Sequence, residues 1–462
     1  MRDLLVFAIV LAALPLSIRR PFFGLLVFSW LAYMRPQDLC WGFARSMRLS
    51  FFVGIAMVAG WWAYEQGKRR FANWDLRTGL MVALAVFVSL SYAFAQHQNT
   101  YTNTYWFEYL KIILIALFTT AQVDSRQRLR VMLWVIALSL GFFGVKNGLF
   151  GILRGGAPIL RGPGGMLEDN NDFALALVMN VPLLWYLGRE EASRPWVRRL
   201  THIAVVLTVV SVLLTHSRGG FLALVCTALW IAWRSGHLVR AVAVLGLCAV
   251  AFLLFAPDHV IERLSSIGDK EDSSRNARLI AWSTAMRMIG DNPLLGVGLR
   301  NFQPRFPEYS VIPLGAGSQT YVAHNSYLQI WAESGTIAFV VYVVLLGSVF
   351  VACARVRRQA RVMPALAWAG NYARMMEATT VGFLVGAFFL NRGHFDLIYH
   401  WIALVTSLVL VTAAERRAAP ATAGAQAGDR AAPRRVEVRG GAWRPAVVTA
   451  PTALAPTLPR WR

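Results

Sequence analysis

Charged residues and cysteines are scarce in this sequence. Only 15% of its 462 residues are Asp, Glu, Lys or Arg, whereas 56% are hydrophobic and 17 are tryptophan. The four cysteines form no CxxC pair, which disfavours a disulfide framework or a cysteine metal site. A soluble globule of this length could not bury so much apolar surface. The composition therefore predicts a polytopic integral membrane protein.

Apolar runs long enough for transmembrane helices recur along the chain. About 20 apolar residues are needed to cross a hydrocarbon core about 30 Å thick. The sequence predicts an all-α fold with twelve or thirteen transmembrane helices and one long extramembrane loop that contains short helices. The predicted spans are 4–18, 22–34, 50–64, 76–95, 105–121, 129–151, 173–188, 200–215, 219–233, 238–256, 335–356, 378–391 and 397–413.

Four regions follow from these spans. Residues 1–256 form an N-terminal transmembrane bundle, and residues 257–334 form the long loop that carries catalytic elements. Residues 335–415 form the C-terminal transmembrane helices. Residues 416–462 are rich in Ala, Pro and Arg without an apolar period, which predicts a disordered basic tail.

Lys and Arg are concentrated in every second connection between the spans. Basic connections remain on the cytoplasmic side of a membrane, so this alternation fixes the predicted orientation. The long loop 257–334 should face the periplasm or the cell exterior, and the tail 416–462 should be cytoplasmic. The basic connections are 67–70, 124–130, 188–199, 233–240 and 355–361.

The strong positive charge does not require a nucleic-acid partner. The tail 416–462 holds nine arginines and two acidic residues, so it supplies +7 of the formal net charge of +22. Attraction of the tail and the cytoplasmic loops to anionic lipids accounts for much of the charge. We therefore predict contacts with membrane lipids and no nucleic acid.

Several arginines lie on the outward side, where the charge rule disfavours them. A guanidinium fits phosphate oxygens bidentately and keeps its proton. Converging arginines therefore indicate a polyanionic ligand such as a pyrophosphate, although an ordinary lipid headgroup is an alternative partner for each. These residues are Arg154, Arg161, Arg218, Arg263, Arg275, Arg278, Arg300, Arg305 and Arg392.

Two stretches of the long loop have helical patterns. Arg275 and Arg278 are three residues apart and share a helix face, and Arg278 lies one turn before Trp282. Leu279, Trp282, Met286 and Ile289 recur at helical spacing and predict an apolar stripe against the membrane or other helices. Farther on, YVAHNSYLQIWAESG (321–335) places His324 and Asn325 directly before an apolar run.

These motifs together resemble a known family. SRGG (217–220), R-x-x-x-W (278–282), DNPLLGVGLRNF (291–302) and AHNSYLQIWAESG (323–335) are similar to the signature of the O-antigen ligase and polymerase superfamily. GPGGMLEDNNDFALALVMNVPLL (162–184) resembles the Gly/Asn-containing segment of the same family. The segment RPFFGLLVFSWLAYMRPQDL (20–39) looks like a subgroup of O-glycosylation ligases associated with exosortase systems.

The resemblance implies an inverting, metal-independent glycosyltransferase that needs no cofactor. Its donor would be a glycan on undecaprenyl pyrophosphate, and its acceptor lipid A core, a protein or another glycan. His324 matches the catalytic histidine of the family, and Arg218 and Arg278 match arginines that bind the donor pyrophosphate. Arg161 and Arg275 are assigned to the same pyrophosphate. The supporting residues are Asn171, Asn325 and Arg392.

The chemistry of these residue types agrees with that implication. Attack of an acceptor hydroxyl on an anomeric carbon needs a base that is neutral near pH 7, and histidine meets this requirement. The departing pyrophosphate needs positive charge, which arginines supply. A purely structural role for His324, as a cap or headgroup contact, is the alternative.

Three other interpretations stay open. Glu168, Asp169 and Asp172 could bind a divalent cation, but they also precede an apolar run where acids begin helices. A secondary transporter of an anionic substrate would need its charges near the middle of the membrane and favours internal repeats, which are not evident here. A polymerase or a protein O-oligosaccharyltransferase would share the same machinery and differ in its acceptor.

Overall fold

The computed structural model describes residues 1–191, 193–243, 246, 273–312 and 320–430. Over these residues the chain is α-helical, and the strand pairing present is an isolated bridge. The helices are α1 (Arg2–Arg19), α2 (Pro21–Tyr33), α3 (Leu49–Gly60), α4 (Leu76–Ala93), α5 (Thr100–Gln122), α6 (Arg126–Leu153), α7 (Asn170–Glu190), α8 (Pro195–Leu214), α9 (Arg218–Arg234), α10 (Ser273–Asp291), α11 (Ser326–Val362), α12 (Ala367–Ala387) and α13 (Asp396–Arg430).

The predicted all-α polytopic fold is confirmed. Twelve of the thirteen predicted spans fall on helices, and the other, 238–256, lies mostly outside the described residues. In the described part of the chain, 5 helices are long and apolar enough to cross a membrane: α4, α6, α8, α11 and residues Asp396–Ala418 of α13. Two further helices in the described residues are apolar but shorter, Pro21–Tyr33 and Leu49–Glu65, and the count of twelve or thirteen transmembrane helices stays a prediction. Other helices are shorter or, like α12, carry ionisable side chains.

Two predicted region boundaries differ from the observed helices. Helix α11 begins at Ser326, within the predicted loop, but its backbone leaves the helical conformation at Gly335, the predicted start of the span. The last helix continues to Arg430, and the disorder predicted for the tail 416–462 stays a prediction. The remaining tail, 431–462, lies outside the described residues.

The chain divides into two compact units, Met1–Arg416 and Arg417–Arg462. The second unit is described only as far as Arg430, where its helix ends. Helix α7 is the most deeply buried element of the first unit, and it contacts α6, α8, α9 and α12. Its sequence is apolar on every face, as expected for a helix with neighbours on all sides.

Each of the five basic connections contacts another basic connection or α12. Arg69 pairs with Asp124 at 2.8 Å, and Arg130 pairs with Glu191. Arg234, which begins another of these connections, pairs with Glu377. The fifth connection joins them because Arg357 also pairs with Glu377. The grouping agrees with the predicted alternation, while the side of the membrane stays a prediction.

Helix α10 packs on its neighbours through only part of the predicted stripe. Ile289 is buried, whereas Leu279 and Met286 are exposed, and a membrane-facing position of these two residues, which the prediction allows, stays a prediction. The buried positions are instead Ala281 and Ala285, both 0% exposed. Small alanine side chains allow this helix to approach its neighbours closely.

Candidate active site

His324 lies immediately before the helix that begins at Ser326. Its backbone is left-handed (φ 43°), a conformation that histidine adopts more readily than most residues. The next residue, Asn325, caps the helix: its Oδ1 accepts hydrogen bonds from the backbone N–H groups of Tyr327 (3.0 Å) and Leu328 (3.1 Å). His324 is exposed and Asn325 is buried. The turn thus presents the imidazole at the end of the helix and uses Asn325 as its cap.

Three charged side chains act on the His324 imidazole. Nearby protein atoms remove part of the hydration of the ring, and the Arg278 guanidinium opposes a second positive charge, so the pKa of His324 lies below the ordinary histidine value. The negative charges of Asp169 and Asp172 raise the pKa of His324, but by less than the other two effects lower it. The ring is therefore neutral near pH 7, the state in which it can accept a proton.

Helix α10 brings Arg278 to the histidine. Trp282, one turn after Arg278, donates a hydrogen bond from Nε1 to the carbonyl oxygen of Ala323 at 3.0 Å. Ala323 directly precedes His324 in the chain. The Trp282 ring also packs edge-on against Phe388, with 5.4 Å between ring centroids. These contacts hold the first half of α10 over the turn that carries His324.

The acidic neighbours come from the loop before α7. Residues 161 and 169 form an isolated antiparallel bridge, so Arg161 lies beside Asp169. Asp169 Oδ1 accepts a hydrogen bond from the backbone N–H of Asn171 at 2.8 Å and also one from the Asn171 side chain at 3.0 Å. Asn171 is therefore engaged at the start of α7. Arg161 is exposed and lies in the same loop.

Asp172 is buried at the first turn of α7 and pairs with Arg392. Burial raises the pKa of the Asp172 carboxyl, and the hydrogen bond and positive charge of Arg392 oppose that rise. The backbone N–H of Arg392 donates to Ser326 Oγ at 2.8 Å. Arg392 thereby connects the start of α7 to the start of α11, beside His324.

Arg218 begins α9 at the same end of the molecule. Ser217 caps this helix by accepting a hydrogen bond on Oγ from the backbone N–H of Gly220 at 3.1 Å. A Cβ atom on Gly219 would lie 2.8 Å from the Cβ of Phe389, so this glycine permits close approach of the two segments. Phe389 follows Phe388, which contacts Trp282 of α10. The exposed Arg218 is thus linked to the Arg278 helix through these aromatic residues.

A bend in α11 contacts the segment DNPLLGVGLRNF (291–302), which begins at the end of α10. Gly335 has φ 83°, and Thr336 donates its backbone N–H to the carbonyl of Pro293 at 2.8 Å. In the same contact, the backbone N–H of Val297 donates to the carbonyl of Ala332 at 2.8 Å. The carbonyl oxygen of Leu294 lies 2.0 Å from where a Cβ on Gly335 would stand. The loop after α10 is therefore locked to the bend.

The structure brings His324, Arg278, Asp169, Asp172 and Arg392 into one cluster. Arg218 lies at the same end, and the Arg275 side chain lies outside the described residues. Sequence reasoning did not anticipate the pairing of Asp172 with Arg392, because no pattern relates positions so far apart. Over the described part of the chain, no group of three His, Cys, Asp or Glu side chains is arranged to bind a metal ion.

A cavity of about 840 Å³ adjoins this cluster. Apolar side chains of α2, α3 and α5 form most of its wall, while Arg35, Arg392 and His394 line it near the cluster. Arg392 therefore has the candidate active site on one side and this cavity on the other.

Two family models match the chain. Residues 203–343 match a family described as O-Antigen ligase, and residues 1–192 match a family of unknown function. The first match includes Arg218, Arg278 and His324. No curated protein matches the chain. The resemblance to the exosortase-associated subgroup stays a prediction.

Proposed function

We propose that the chain, which belongs to the O-antigen ligase superfamily, is an inverting glycosyltransferase independent of metal ions. It transfers a glycan from undecaprenyl pyrophosphate to an acceptor hydroxyl at the periplasmic face of the inner membrane. Lipid A core, a protein or another glycan would supply the hydroxyl.

In the proposed reaction, a ring nitrogen of His324 removes the proton of the acceptor hydroxyl as its oxygen attacks the anomeric carbon. The bond between that carbon and the pyrophosphate oxygen breaks, and undecaprenyl pyrophosphate leaves with the bonding electron pair. Attack opposite the leaving group inverts the anomeric configuration. Arg218 and Arg278 bind the pyrophosphate and stabilise its increasing negative charge, with Arg161 and Arg275 beside them.

The observation that carries this proposal is the neutral, exposed His324 beside Arg278. A pKa below the ordinary value keeps the base unprotonated at neutral pH, while the arginine that lowers the pKa is also suited to the phosphate. The Asp172 and Arg392 pair fixes the segments around the histidine. His324 and Arg218 both stand at helix ends, which favours a transferase over a transporter with charges in mid-membrane.

Transfer by the His324→Ala variant tests the proposal. Removing a general base should reduce the transfer rate by about 10²- to 10⁴-fold while binding of the lipid-linked donor is retained. Arg218→Lys and Arg278→Lys should instead weaken donor binding, because an ammonium group cannot bind the phosphate bidentately. His216 is a matched control, since it is also exposed and left-handed (φ 52°). Near-normal transfer by His324→Ala at equal protein level would contradict the proposal.

A further inference from the structure

The cavity beside Arg392 has a polar part that the proposed reaction does not use. His394 is 2% exposed, and in the described part of the chain both of its ring nitrogens are without a hydrogen-bond partner. His400 is 6% exposed, and its Nε2 also has no partner there. Both histidines line the cavity. A buried polar atom without a partner destabilises the fold, so these atoms indicate a bound group.

The chemistry of the two rings limits what that group can be. Burial and the nearby Arg300 lower the pKa of His394 to about 3, so its imidazole is neutral. A neutral imidazole has one N–H donor and one acceptor nitrogen. His400 Nδ1 shares a hydrogen bond of 2.8 Å with the Tyr33 hydroxyl. When that hydroxyl donates, the proton of His400 is on Nε2. Each ring then presents an N–H group that can donate to an acceptor such as a carbonyl oxygen.

The rest of the cavity is suited to a hydrocarbon chain with an anionic head. One wall, formed by α3 and the turn that follows it, extends from Ser50 to Trp62, and the wall of α5 includes Tyr109 and Ile115. The apolar part of the cavity therefore extends along these two helices. Arg35 and Arg392 lie near the cluster end, where a phosphate would meet guanidinium groups. Each of these arginines also pairs with a carboxylate outside the lining, Asp38 and Asp172 respectively, and Asp396 lines the same part of the cavity.

We propose that this cavity binds a diacyl glycerophospholipid. Its phosphate lies near Arg35 and Arg392, its ester carbonyls accept hydrogen bonds from His394 and His400, and an acyl chain lies between α2, α3 and α5. The order of groups along the cavity matches the order along such a lipid, in which the esters directly follow the phosphate. A polyprenyl phosphate would place hydrocarbon at the two histidines and leave their N–H groups unpaired. This site is independent of the proposed transfer reaction.

Native mass spectrometry of the full-length protein, purified in detergent and depleted of lipid, tests the proposal. The protein is offered dipalmitoyl phosphatidylglycerol, its diether analogue without ester carbonyls, or undecaprenyl phosphate. The diester should be retained about 30-fold more strongly than the diether, the effect of about two hydrogen bonds. Retention of undecaprenyl phosphate equal to or above that of the diester, and abolished by Gly54→Phe, would overturn the proposal, as would retention of neither glycerolipid.

Two variants locate the binding site. His394→Phe keeps an aromatic ring and removes both nitrogens, so it should reduce the preference for the diester over the diether to the part contributed by His400 and leave retention of the diether unchanged. Gly54→Phe should block the apolar part and abolish retention of both lipids, since Gly54 lines the cavity. Gly347→Phe is the matched control, because its Cβ would meet no atom within 4 Å.

The comparison of diester with diether retention in the wild-type protein tests the proposal even if a variant fails to fold. Equal retention of these two lipids by the wild type would overturn the role of the histidines. Equal retention of the diester by Gly54→Phe and Gly347→Phe, in folded protein, would place the lipid elsewhere and overturn the site.

Discussion

The Arg392 guanidinium donates a hydrogen bond to the Asp172 carboxylate, although 220 positions separate the two residues. Asp172 belongs to the first turn of α7, and Arg392 lies in the connection between α12 and α13. Because the backbone of Arg392 also contacts Ser326, the pair joins three segments around His324. The candidate active site is therefore held by an ion pair that contains none of its proposed catalytic groups.

A double-mutant cycle measures what this pair contributes to stability. Asp172→Asn should decrease the free energy of unfolding by about 3 kcal/mol, because it leaves a partly buried guanidinium unpaired. Arg392→Gln should have a similar effect. The double variant should lose less free energy of unfolding than the two single variants lose together, since neither charge then remains without its partner. Thermal unfolding in detergent gives these values, and strict additivity would show that the two side chains do not interact.

The pH dependence of transfer should report the pKa of His324. The base must be neutral, so kcat/KM should fall as the pH drops, with the acid limb below the ordinary histidine pKa of 6.5. Arg278→Gln removes a positive charge that lowers this pKa, and the limb should move to higher pH. Asp169→Asn removes a negative charge that raises it, and the limb should move to lower pH.

Glu168→Gln is the control for these two shifts, because Glu168 is an exposed neighbour in the same loop that does not act on His324. Its acid limb should coincide with that of the wild type. Shifts of the same sign in the Arg278 and Asp169 variants would exclude His324 as the titrating base.

The bend at Gly335 should tolerate no side chain. An alanine there would have a left-handed backbone, which costs about 1–2 kcal/mol, and its Cβ would overlap the Leu294 carbonyl oxygen. Together with overpacking, Gly335→Ala should decrease the free energy of unfolding by about 3 kcal/mol. Gly347→Ala, in the straight part of the same helix, should leave stability unchanged or raise it by up to about 1 kcal/mol. Equal thermal unfolding midpoints for the two variants would contradict the packing described for the bend.

Removal of divalent cations should not affect transfer. The proposed reaction uses a histidine base and arginines, so treatment of the purified protein with EDTA should leave the rate unchanged. Added Mg²⁺ or Mn²⁺ should not restore transfer to His324→Ala. Loss of activity on chelation, reversed by a single metal, would show that the acids before α7 bind a cation.

Cysteine labelling tests the predicted orientation. In a variant without its native cysteines, Ser310→Cys should react with an impermeant thiol reagent in cells with a permeabilised outer membrane. Arg361→Cys lies in a basic connection and should react only after lysis. Labelling in the reverse order would put the candidate active site in the cytoplasm and contradict the proposed donor orientation.

The amino-acid sequence by itself determined which segments are helices. A helix that crosses a membrane needs a minimum length and an apolar composition, and both can be recognised in the sequence. Polar residues such as Ser217 and Asn325 mark where helices begin. Short motifs also located His324, Arg218 and Arg278, since each lies within a contiguous pattern. The helical backbone of residues 416–430 was not evident in the sequence, because an Ala-rich segment without an apolar period can still extend a helix.

Tertiary structure decided how these segments meet. The hydrogen bond from Trp282 to Ala323, the pairing of Asp172 with Arg392 and the cavity between α2, α3 and α5 depend on the positions of whole helices. The buried face of α10 shows the reason. Leu279 and Met286 are more hydrophobic than Ala281 and Ala285, but the alanines are buried because their small side chains allow close approach. Local periodicity reports hydrophobicity along one helix, whereas contact depends on the shape of the helix that faces it.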